Sequence, residues 1–164
     1  MNRMTTAAFC PLKRLFYVVF MGFLLTTAGC AAQKKKDSQG ISGTVLWRSG
    51  NLMPSPDVKV AKSKGSPIVR EIFIYELTRN TQTEPAEEAG FYQKINAKLI
   101  KKVTSNQAGR FKVDLPAGYY SLFVKEDKGF YANLFDDAMN INPVHIQQGK
   151  WEKMDIIVDY AAVY

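Results

Sequence analysis

The strictest pattern in this chain is the run Arg110-Phe111-Lys112-Val113-Asp114-Leu115, where charged and apolar residues alternate one for one. A period of two puts Phe111, Val113 and Leu115 on one face of an extended strand and the charges on the other. Turn signals bracket it, Asn106-Gln107-Ala108-Gly109 ahead and Pro116-Ala117-Gly118 behind. The same rhythm recurs beyond Gly40. Ile41 to Trp47 reads as a first strand, ended by Ser49-Gly50-Asn51, and Pro54 and Pro56 predict an irregular stretch after it. Ile68 to Leu77 places Ile72, Ile74 and Glu76 on one face and Phe73, Tyr75 and Leu77 on the other. Both faces are largely apolar, so this strand belongs in the middle of a sandwich. Lys98 to Thr104, Tyr119 to Val124 and Met154 to Tyr160 are further strands, the last with Ile156 and Val158 pointing one way. Thr78 to Gly90 is polar and predicts a surface loop with a helical turn starting near Pro85. No stretch sustains a helical period. The expectation is an all-β fold of about seven strands, an antiparallel sandwich or barrel.

The N-terminus has a different character. Arg3, Lys13 and Arg14 form a basic leader without acidic residues, followed by the apolar run Leu15 to Leu25 and the small residues Thr26-Thr27-Ala28-Gly29. That order is a secretory signal peptide, and the apolar run falls short of the roughly 20 residues a membrane-spanning helix needs. Cys30 follows. Thr27-Ala28-Gly29-Cys30 resembles the lipobox of bacterial lipoproteins, although Thr27 stands where the pattern usually has Leu. The resemblance implies cleavage before Cys30, diacylglycerol on its thiol and further acylation such as palmitate. More than one acyl chain is needed for stable attachment. Three segments result: a signal peptide 1–29, a lipidated Cys30 with a flexible tether to residue 40, and a domain 41–164. Ala31 after the cysteine is similar to the pattern sorted to the outer membrane in enteric bacteria.

Processing changes the chemistry of what remains. Cys10 leaves with the leader, so Cys30 is the one cysteine left and no intrachain disulfide can form. Residues 1–29 carry three of the 22 Lys and Arg and none of the 15 Asp and Glu, so the processed charge is 19 − 15 = +4. Three of those positives are Lys34-Lys35-Lys36 in the tether, where they suit either solvent or anionic lipid headgroups. The domain itself is near neutral, which removes the electrostatic basis for nucleic-acid binding.

A family resemblance rests on Gly43-Thr44-Val45, Gly65-Ser66-Pro67-Ile68, Thr104 ahead of Gly109-Arg110-Phe111, and Leu115-Pro116-Ala117-Gly118-Tyr119-Tyr120. These resemble the carboxypeptidase regulatory-like domains, which have a transthyretin-like β-sandwich. Tyr120, two residues beyond a turn glycine, can put its ring in the core and its hydroxyl on a nearby backbone group, as in a tyrosine corner. Gly129-Phe130-Tyr131 resembles the glycine-aromatic element of such domains, and Gln148-Gly149 the last turn before the closing strand. Gly50 to Lys64 and Thr78 to Lys98 are longer than the family pattern.

No catalytic constellation is legible, and the expectation is a protein that is not an enzyme. The single histidine, His145, lies in Asn142-Pro143-Val144-His145-Ile146, a short strand, without a partner for metal or acid–base work. The transthyretin-like hydrolase of 5-hydroxyisourate has several histidines and a C-terminal signature that Tyr160-Ala161-Ala162-Val163-Tyr164 does not supply. Asp136-Asp137 offers paired carboxylates of the kind Ca²⁺ takes, against the simpler reading of a solvated turn. Phe130, Tyr131 and Phe135 stand beside them, suited either to stacking on sugar rings or to plugging the sandwich. Two functions follow as expectations: a lipid-tethered module docking on an envelope protein, or a glycan-binding surface lipoprotein with Ca²⁺ as its only candidate cofactor.

Overall fold

The computed structural model describes residues 38–53 and 65–164 of the chain. The expected signal peptide, Cys30, most of the expected tether and the stretch around Pro54 and Pro56 lie outside the described residues. Asp37–Tyr164 forms one unit.

The described residues hold twelve strands: β1 (Gly40–Asn51), β2 (Ser66–Pro67), β3 (Glu71–Glu76), β4 (Thr83–Pro85), β5 (Phe91–Ile95), β6 (Leu99–Thr104), β7 (Arg110–Asp114), β8 (Gly118–Glu126), β9 (Gly129–Tyr131), β10 (Pro143–Ile146), β11 (Trp151–Lys153) and β12 (Ile156–Val163). Seven of these have five residues or more, and the other five are short pieces that extend the sheets. One sheet is built on β1, which pairs with β7 and β2 antiparallel and with β11 and β12 in parallel. The other runs β4-β5-β9-β8-β3-β6, with β10 also on β8. All of its pairings are antiparallel. The fold is a β-sandwich, and the parallel pairings of β1 are its departure from a purely antiparallel expectation.

The core between the sheets follows the alternation. Ile41 and Val45 of β1, Phe111 and Val113 of β7, and Ile156 and Val158 of β12 meet Ile72, Ile74, Leu122 and Val124 of β3 and β8. Each fully buried aliphatic chain contributes roughly 1.5–3 kcal/mol of transfer free energy. The opposite side of β3 is covered too. Phe73 and Tyr75 join Tyr92, Phe123, Ala132 and Ile141 in a second cluster on the outer face of the larger sheet. This double burial is why Ile72 to Tyr75 is an unbroken apolar run. Edge-to-face contacts tie the outer cluster together, with ring centroids 5.6 Å apart for Tyr75–Phe123 and 5.7 Å for Tyr92–Phe123.

The turn at Asn106 to Gly109 carries the chain from the larger sheet to the smaller one. Asn106 Oδ1 accepts the Ala108 and Arg110 N–H groups, and Gly109 takes φ +68°. A Cβ at Gly109 would lie 2.5 Å from the Val45 carbonyl oxygen, so only glycine fits. Tyr120 is buried and its hydroxyl donates to the Pro116 carbonyl at 3.0 Å, the corner expected from its spacing. Glu126, also buried, is held by Arg70 Nε at 2.6 Å and by the Tyr160 hydroxyl at 3.3 Å.

Three details differ from the sequence reading. The helical turn in the polar stretch is a 3-10 turn at Asn80–Gln82, and Pro85 ends a strand instead of starting a turn. Phe91–Ile95 is a strand without alternation, because Phe91 faces the inner core and Tyr92 the outer cluster. Ser38 and Gln39, read as the end of a tether, are bonded to the sandwich: Trp151 Nε1 donates to Ser38 Oγ at 3.2 Å, and the Gln39 amide bridges Leu115 and Gly149.

Candidate binding loop

Between β9 and β10 the chain runs 132–142 as a loop on the outer face of the larger sheet, where Ala132 and Ile141 enter the aromatic cluster. This segment and the end of β9 hold Phe130, Tyr131, Phe135, Asp136 and Asp137, and the structure divides them into two groups.

Phe130 and Tyr131 belong to the packing. Phe130 is half-buried, edge-on to Phe73 at 5.1 Å, with Lys125 Nζ 4.9 Å from its ring centroid. Tyr131 is buried against Phe91 and Tyr160, and its hydroxyl donates to Asp159 Oδ1 at 2.7 Å. Burial and the neighbouring carboxylate push the Tyr131 phenol well above its ordinary value. Tyr131 is buried, whereas Phe130 keeps part of its ring exposed.

Asp136 organises the loop from within. Its Oδ1 accepts the Ala138 N–H at 3.0 Å and the Asn140 N–H at 2.8 Å, while Oδ2 accepts Asn140 Nδ2 at 2.7 Å. The Asn140 side chain, followed by its backbone N–H, lowers the Asp136 carboxyl below its usual range. Both Asp136 oxygens therefore face N–H donors. Among the described residues no group of three or more His, Cys, Asp or Glu side chains is placed to share a metal ion.

The rest of the loop is pinned at several points. Asn80 N–H donates to the Met139 carbonyl at 3.0 Å, and Ile141 N–H to the Thr78 carbonyl at 2.9 Å. Buried Asn142 spans the base: its Oδ1 accepts the Leu134 N–H at 2.9 Å and its Nδ2 donates to the Leu122 carbonyl at 3.1 Å. Asn133 Nδ2 donates to Asp159 at 2.7 Å. Strain is concentrated in the same segment. Among the described residues, the non-glycine positions with positive φ are Met139 at 60° and Asn142 at 39°. Asn140 Oδ1 is the one buried side-chain polar atom there without a hydrogen-bond partner. Such features cost about 1–3 kcal/mol each and gather where a surface is held for use.

That well-held loop presents three large apolar side chains to solvent: Leu134 is 55% exposed, Phe135 46% and Met139 53%. Phe135 comes from the sequence reading; Leu134 and Met139 were missed there. Their one signal was apolar residues among Asn and Asp without any strand period. On the same face of β8, exposed Tyr119 stacks flat on His145, with ring centroids 4.1 Å apart.

No family model, curated protein or solved structure matches this chain.

Proposed function

We propose that this chain is an envelope lipoprotein, acylated at Cys30 and lodged in the outer membrane, whose sandwich docks without catalysis on a protein partner through the loop 133–142. The observation that carries the reading is the combination in that loop of internal pinning, backbone strain and exposed Leu134, Phe135 and Met139. A preordered apolar surface loses little conformational entropy on binding, so its buried area converts efficiently into affinity. The partner chemistry it fits is an apolar recess with a hydrogen-bonding rim. The anchor is supported by the residues from Arg3 to Cys30 and the short reach from Cys30 to the first strand. The turn at Gly109 and the Tyr120 corner support a carboxypeptidase regulatory-like module.

A photo-crosslinking residue placed at Phe135 in the lipidated protein tests this in intact cells. A discrete adduct is expected, lost when Leu134→Glu and Met139→Glu are added. Adducts that survive both substitutions, or none at all, would remove the loop from the function. A glycan-binding reading retains exposed Phe135 and Asp137 from its original residues. Glycan-array binding that depends on Phe135, with or without Ca²⁺, would favour it over protein docking.

A further inference from the structure

On the outer face of the smaller sheet, away from the aromatic cluster, three cations converge on a strand of small side chains. Register puts Ser42 of β1 between Lys112 of β7 and Lys153 of β11, and Thr44 opposite Arg110. Residues two apart on a strand share a face, so Ser42, Thr44, Arg110, Lys112 and Lys153 all point the same way. Neighbouring strands lie about 4.8 Å apart, so Lys112 and Lys153 flank Ser42 at a backbone separation of about 10 Å. The long cationic chains and the small hydroxyl side chains between them border an open depression of about 580 Å³, which Asn106 also lines.

Its charges are not neutralised internally. Elsewhere Arg70, Lys94, Lys98 and Lys128 each have a carboxylate within 4.0 Å. Among the described residues Arg110, Lys112 and Lys153 have no such partner. Of the acids nearby, Asp155 turns its Oδ1 to the Thr44 N–H at 2.9 Å, and Asp114, two residues from Lys112 on the same face of β7, makes no ion pair within 4.0 Å among the described residues. Lys112 instead lies over the Trp151 ring, 4.1 Å from its centroid. Like charges gathered on one sheet face oppose folding unless an anion joins them.

We propose that this depression binds a compact oxyanion of the phosphate class, either as free phosphate or as the phosphate of an anionic lipid headgroup. Arg110 supplies a planar fork for two oxygens, Lys112 and Lys153 supply point charges, and the Ser42 and Thr44 hydroxyls supply neutral donors. The headgroup source rests on the anchor at Cys30. Ser42 is 42 − 30 = 12 residues from that cysteine. An extended chain of that length spans at most about 40 Å, which keeps this face near the bilayer. The free-phosphate source stands without the anchor and without the docking loop.

The full chain in neutral detergent micelles, titrated with inorganic phosphate, gives the first test. Trp151 reports through its contact with Lys112, and a Trp151→Phe variant assigns the signal against Trp47, which packs on Tyr160. Saturation is expected with a dissociation constant on the order of 10 mM, as three exposed charge contacts of up to about 5-fold each support. Arg110→Ala weakens it by up to about 5-fold, and Arg110→Ala with Lys153→Ala by about 20-fold. Lys94→Ala with Lys98→Ala, on the other sheet, leaves it unchanged. The second arm places the full chain in vesicles of phosphatidylcholine with or without phosphatidylglycerol. A Trp151 shift confined to the anionic vesicles and lost with Lys153→Ala assigns the headgroup; a phosphate response without it assigns the free ion. Absence of both responses overturns the site. So does a response that survives removal of Arg110 and Lys153, or one that falls equally with Lys94 and Lys98.

Discussion

Asn142→Ala tests whether the apolar loop is held by the device described. Asn142 takes φ +39°, and its amide joins the Leu134 N–H to the Leu122 carbonyl. Alanine removes both bonds and keeps the disfavoured backbone. Orphaning the Leu122 carbonyl costs about 1–3 kcal/mol, because Leu122 is fully buried within β8. The Leu134 N–H, on an exposed segment, regains water and costs about 0.5 kcal/mol. Holding alanine at positive φ adds about 1 kcal/mol. The sum is about 2.5–4.5 kcal/mol, or about 1.7–3 M in the urea midpoint at a slope near 1.5 kcal/mol/M. Asn142→Gly relieves the backbone part and recovers about 1 kcal/mol. Asn142→Asp keeps the acceptor for Leu134 but sets a carboxylate against a carbonyl, so it costs at least as much as alanine. Urea unfolding of residues 37–164 followed by tryptophan emission gives the three values. An alanine variant within about 1 kcal/mol of the parent would refute the pinning argument. A glycine variant as damaging as alanine would refute the strain.

Three further outcomes follow. Asp136 has a lowered carboxyl, so its support of the loop is complete above the ordinary value of 3.8 and is lost as pH falls through the lowered folded value. The Ala138 and Asn140 amides should therefore lose protection from hydrogen exchange in that acid window, and Asp136→Asn should shift or abolish the pH dependence. Tyr120→Phe deletes the bond to Pro116 and keeps the ring, so thermal unfolding should reveal a loss of about 1 kcal/mol; an unchanged midpoint would mean the corner contributes nothing. Cys30→Ser should abolish incorporation of radiolabelled fatty acid and release the chain from membranes, and continued labelling would place the lipid elsewhere.

The loop also shows which parts of a site can be read in advance. Phe130, Tyr131, Phe135, Asp136 and Asp137 drew attention as aromatics beside carboxylates, but composition is blind to direction. Tyr131 turned into the inner core and Phe130 onto the outer cluster because β9 pairs between β5 and β8, which sets its two faces against two apolar clusters. Asp136 turned to its own backbone because Asn140 lies one tight turn away. Leu134 and Met139 had no periodicity to mark them, and their exposure follows from how the loop is tied to Thr78 and Asn80.

By itself the sequence determined what depends on near neighbours. The alternation of Arg110 to Leu115 set a strand and its inward face; the two apolar faces of Ile72 to Tyr75 marked β3 as an interior strand, paired on one side with β8 and on the other with the edge strand β6; Gly109 set a turn; Tyr120 set its corner. Each rests on side-chain period or backbone φ over a few residues. The tertiary structure alone decided what depends on strands far apart in the chain. It set the parallel pairing of β1 with β11 and β12, the strand at Phe91 that serves two cores at once, the packing of Tyr131 and Phe130 against opposite clusters, and the meeting of Arg110, Lys112 and Lys153 around Ser42. Those are properties of who becomes whose neighbour, and the hydrophobic pattern of one segment carries no record of the segment it will lie beside.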